Sequence, residues 1–103
     1  MADGKPYSQR AYHAGRADAE KDVREGRLIV EDYGFPRKGQ AKYAAILQQR
    51  YNVELRRVAG DIVDVKAIGH AKGYNEVSEA AIKSRFGENI LSAAEAEAER
   101  LDE

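Results

Sequence analysis

Arg27-Leu28-Ile29-Val30-Glu31-Asp32-Tyr33 and Val53-Glu54-Leu55-Arg56-Arg57-Val58 are two short runs rich in branched and aromatic side chains, the composition of β-strands. Gly34-Phe35-Pro36 ends the first run and Ala59-Gly60 closes the second. Between them, Tyr43, Ile46, Leu47 and Tyr51 recur at spacings of three and four across Gln40 to Asn52, which marks one face of a helix. A helix between two strands excludes a hairpin and makes the pair a parallel βαβ unit.

Outward from this centre, Tyr12, Gly15, Arg16, Ala19 and Val23 share a helical face that starts after Ser8, a good N-cap, and stops at Gly26. A long helix is expected from Asp61 or Asp64 to Phe86, with Gly87 beyond its end. Ile90, Leu91, Ala94, Ala98 and Leu101 form the stripe of a terminal helix. The expected fold is therefore a small α/β domain of order α-β-α-β-α-α, with a two-stranded parallel centre flanked by helices. Residues 1–6 are expected to be a flexible N-terminus, 7–87 the α/β domain and 88–103 an acidic amphipathic helix. The core should contain Tyr12, Ala19, Val23, Leu28, Val30, Tyr43, Ile46, Leu47, Val53, Leu55, Ile68, Ala71, Ile82 and Phe86.

Composition narrows the function. Of 103 residues, 17 are Ala and only 20 are Leu, Ile, Val or Phe, so the core is thin. No apolar run approaches the roughly 18–20 residues that cross a bilayer, and the N-terminus lacks the apolar stretch of a secretory signal. With no Cys there are no disulfides or thiolate ligands, and a reducing, cytoplasmic setting is expected. The two His, at 13 and 70, make no metal signature; Asp18 and Asp22 alone are a poor cation site. No cofactor is implied. His13 reads as a solvated surface residue.

Charge is unevenly spread: residues 1–60 carry 12 basic and 8 acidic side chains, and residues 88–103 carry 1 against 6. The basic stretch 37–57 interleaves Tyr43 and Tyr51, but a pI near 6.1 and their place on the core face argue against nucleic acid. An acidic terminal helix has the wrong sign for a membrane surface.

Three groups of residues are candidates for a site. Ligands of open parallel sheets sit beyond the carboxyl ends of the strands; here that edge holds Arg37, Lys38, Gly39 and Arg57, which could take an anion. His70, Tyr74 and Asn75 bring polar chemistry into the apolar arc of the long helix, either as acid–base groups or as satisfied structural hydrogen-bonders. Gly69, Gly73 and Ala80 lie opposite that arc, where small residues point to close approach of another backbone.

No catalytic signature appears, so an enzyme is not indicated. The expected role is assembly: a homodimer, able to dock a larger protein, that covers the open edges of a two-stranded sheet and uses the Gly69/Gly73/Ala80 face together with Ile90, Leu91 and Leu101. The competing account is a monomer whose terminal helix folds back over Gly69 and Gly73. The alternative function is a binder, sensor or small enzyme for an anionic small molecule at Arg37/Lys38/Gly39 or around His70/Tyr74/Asn75.

Overall fold

A computed structural model describes residues 7–34, 37–59 and 64–102. The expectations for residues 1–6, Phe35-Pro36, and Gly60 and Asp61 lie outside the described residues. The element order is α1 (Gln9–Arg24), β1 (Leu28–Tyr33), α2 (Gln40–Tyr51), β2 (Val53–Ala59), α3 (Val65–Phe86) and α4 (Ile90–Leu101). The two strands are parallel neighbours in one sheet, with Leu28 opposite Val53, Val30 opposite Leu55 and Asp32 opposite Arg57. This is the expected α/β architecture.

Local chemistry sets the boundaries. The Ser8 hydroxyl accepts from the Ala11 N–H at 3.1 Å and the Asp64 carboxylate from the Ala67 N–H at 2.8 Å, capping α1 and α3. Asn52 takes up the left-handed conformation (φ 55°) that ends α2 and lets the chain turn directly into β2.

The sheet separates two apolar clusters. Leu28, Val30 and Val53 pack with Tyr43, Ile46 and Leu47 of α2, with Ile82 of α3, and with Ile90, Leu91, Ala94 and Ala98 of α4. Ile29 points the other way, against Ala19 and Tyr74. Ile29, Leu47, Val53 and Ile82 are almost wholly buried, each contributing about 1.5–3 kcal/mol. Tyr12, expected in the core, is instead half-buried and extends its hydroxyl to the Glu76 carboxylate at 2.5 Å.

α1 and α3 lie side by side and run parallel, starting from the same end, where the Ser8 N–H donates to the Val65 carbonyl at 3.0 Å. Their contact is a seam of glycines. A Cβ at Gly73 would overlap the Tyr12 carbonyl oxygen, one at Gly69 the Ser8 carbonyl oxygen, and one at Gly15 the His70 carbonyl oxygen. The close approach expected at Gly69 and Gly73 is therefore present, but its partner is α1 of the same chain. That corrects the expected interface: this face is filled and is open neither to a second copy nor to α4. Ala80 lies beyond the seam and is exposed. The α4 stripe is also used within the chain, since Ile90 and Leu91 are buried in the cluster with α2. Only Leu101, 57% exposed, remains outside it.

Candidate functional site

His70, Tyr74 and Asn75 are brought together on the side of α3 that meets β1, and each is occupied. The imidazole has Nδ1 2.7 Å from the Glu31 carboxylate and Nε2 2.8 Å from the Asp18 carboxylate. A neutral ring donates from one nitrogen only, so this geometry fits an imidazolium donating to both. Burial lowers the pKa of His70, but the hydrogen bonds to Asp18 and Glu31 outweigh it and raise the group above its ordinary value. The Tyr74 hydroxyl donates to Asp22 at 2.6 Å. Burial and then this bond push Tyr74 up, while the same bond, followed by that from Arg27, holds Asp22 below the usual carboxylate range. Arg56 stands 3.8 Å from the second Glu31 oxygen. With neither ring nitrogen left for a substrate, the cluster fits the structural alternative: a buried strand carboxylate, Glu31, held in place by His70 and Arg56. His13 is exposed, as expected.

The turn after β1 differs more from expectation. Arg37 donates to Asp32 at 3.0 Å, and Gln40 and Arg57 also approach that carboxylate. Arg57 further donates to the Gly34 carbonyl. The Gly39 N–H, which opens α2, donates at 2.9 Å to the carboxylate of Asp102. Arg37, Gly39 and Arg57 thus meet acceptors from the chain's own residues, which fill the places an anion would take.

Beside that turn lies a cleft of about 520 Å³ between the C-terminal part of β1, α3 and α4. Its walls include Val30, Asp32, Arg37, Tyr43, Glu79, Lys83, Leu91 and Glu95. The Tyr43 ring is buried (8% exposed) in the core cluster. Burial, then Glu95 and Glu79, push its hydroxyl up to about 12. Burial likewise raises the Glu79 carboxyl, against the pull of Lys83. The cleft shares only Arg37 with the strand-edge group expected to take an anion, and its walls are acidic rather than basic. The residue that sequence reasoning missed is Glu79, which lies on the long helix between the apolar positions Val77 and Ala81 and carried no signal of its own.

The chain matches no family model, no curated protein and no solved structure. Among the described residues no helix is long and apolar enough to cross a membrane, and no three His, Cys, Asp or Glu residues form a metal-binding group.

Proposed function

We propose that the protein acts through assembly, as a homodimer in which β2 pairs with the β2 of a second copy. One observation carries this reading: the two edges of the sheet are treated differently. On β1, the Glu31 main chain is met by the Asn75 side chain on the side away from β2. On β2, the main-chain groups of Leu55 that point away from β1 meet no main-chain partner among the described residues, although Val53 beside it is wholly buried. An open strand edge is a template for another strand.

The β2 sequence favours one register. Glu31 faces Asn75, so Val30 faces β2, and in a parallel ladder Val30 bonds to the residues flanking its opposite, Leu55. The outward groups therefore belong to Val53, Leu55 and Arg57. A two-fold axis at Leu55 pairs the Leu55 groups with their own equivalents in the second copy. It also sets Glu54 of each copy opposite the partner's Arg56. Within one chain the two stand 3.7 Å apart and Arg56 also reaches Glu31, but both side chains remain accessible, at 56% and 40% exposure, and each such cross-strand pair is worth about 0.2–1 kcal/mol. Moving the axis one residue either way sets Glu54 against Glu54 or Arg56 against Arg56, which is repulsive.

Glu54→Arg tests the pairing, since it turns both attractive pairs repulsive while Glu54 itself supports nothing in the core. Sedimentation should show the dimer weakened by about tenfold or more, whereas Glu20→Arg, the same charge change on the exposed side of α1, leaves it intact. An unchanged dimer in Glu54→Arg would sink the β2 pairing.

A further inference from the structure

The cleft between β1, α3 and α4 is independent of the β2 edge and has a ligand chemistry of its own. Asp32 and Arg37 largely neutralise each other at its rim. Glu31, which also lines it, is held by His70 and Arg56, and that leaves Glu79, Glu88 and Glu95 against Lys83. Among the described residues Glu95 pairs only with Arg37, 3.9 Å away, and Glu79 makes no hydrogen bond or ion pair, although the charge of Lys83 acts on it.

A second observation is Tyr43. More than nine-tenths of this residue is buried, yet its hydroxyl has no hydrogen-bond partner among the described residues. The charges that act on it are Glu95, Glu79, Arg37 and Asp32, all of which line the cleft. Tyr43 also lines the cleft, and its hydroxyl is not among the wholly buried side-chain atoms, so the oxygen opens on that space. The Glu79 carboxylate beside it is half-buried and unpaired, which disfavours its charged form. Unfavourable groups converging on one cavity are what a binding site retains.

We propose that this cleft binds a primary ammonium group carried on an aliphatic stem. The ammonium has three donors, matched by the Glu79 carboxylate, the Glu95 carboxylate and the Tyr43 oxygen. The stem lies against Val30 and Leu91, the buried apolar residues of the same wall. A metal ion fits less well, because no three carboxylate or His ligands converge among the described residues. The same chemistry is offered by a free aliphatic diamine and by the side chain of a lysine in another protein.

Titration followed by amide NMR distinguishes these sources. The probes are 1,5-diaminopentane and Nα-acetyl-lysine amide, with sodium acetate as the anionic control. The expected result is saturable shifts at Tyr43, Glu79, Leu91 and Glu95 with at least one amine and none there with acetate. Diaminopentane alone would identify a free diamine as the ligand, and lysine amide alone a lysine side chain. Glu79→Gln should weaken binding by about tenfold or more, and Tyr43→Phe by several-fold, each with the rest of the spectrum in place. No shift at these residues with either amine, or equal binding by both variants, overturns the proposal. Neither result bears on the oligomeric state.

Discussion

The side-chain amide of Asn75 lies on the main chain of Glu31 as a neighbouring strand would, accepting from its N–H at 2.8 Å and donating to its carbonyl at 2.8 Å. One helical residue thereby closes the β1 edge and fixes α3 against the sheet. It also holds Glu31 where His70 and Arg56 reach its carboxylate.

Asn75→Leu keeps the volume and removes both bonds, leaving two main-chain groups unsatisfied. Denaturant unfolding should show a loss of about 1–3 kcal/mol, and the Glu31 amide should exchange faster with solvent. A variant as stable as the parent, with Glu31 equally protected, would show that the edge is closed by something else.

Gly73→Ala tests the helix seam. The new methyl would run into the Tyr12 carbonyl, which belongs to helical backbone and has little room to move. Overpacking of this kind costs about 1–3 kcal/mol. Separating α1 from α3 should also break the bonds from Tyr12 and Arg16 to Glu76. Because the seam lies within one chain, the variant should lose stability with its assembly otherwise unchanged. A fall in mass without loss of stability would mean that this glycine face joins two copies.

Ser8, Asn52, Asp64 and Gly87 mark helix ends through chemistry confined to a few neighbouring residues, and the alternation of helix and strand follows from periodicity. That is why the βαβ centre was readable. The Gly69/Gly73 spacing announced a close backbone, but it could not say whose. The answer lies in residues 8–16, more than 50 positions earlier, and α3 proves to be buried on two sides rather than one. The groups expected to take an anion at Arg37 and Gly39 meet acceptors within the chain for the same reason. Local charge was positive, but the neutralising carboxylates come from Asp32 on the preceding strand and from Asp102 at the far end of the chain.

His70 predicts a pH dependence. Burial lowers its pKa, and the bonds to Asp18 and Glu31 raise it further than burial lowers it. A group raised in the folded state binds its proton more tightly there than in the unfolded chain. Its contribution is fully present below the unfolded value of about 6.5 and fades as pH rises through the folded value. The stability difference between the parent and His70→Gln should therefore shrink across that window. A difference that grows as pH rises there would contradict the imidazolium assignment.

Ser78 is completely buried, and its hydroxyl has no partner among the described residues. Ser78→Ala removes that polar group and favours the helix. Thermal unfolding should show a protein at least as stable as the parent, by up to about 1 kcal/mol. A clear loss of stability would mean that the hydroxyl is bonded.

In the proposed dimer β2, whose outer edge is open at Leu55, finds its neighbour in a second copy. Light scattering of the unmodified protein at micromolar concentrations measures this most directly. The β2 pairing predicts a mass twice that of the 11.4 kDa chain, falling towards the chain mass only on dilution. The mass of a single chain at every concentration would contradict it.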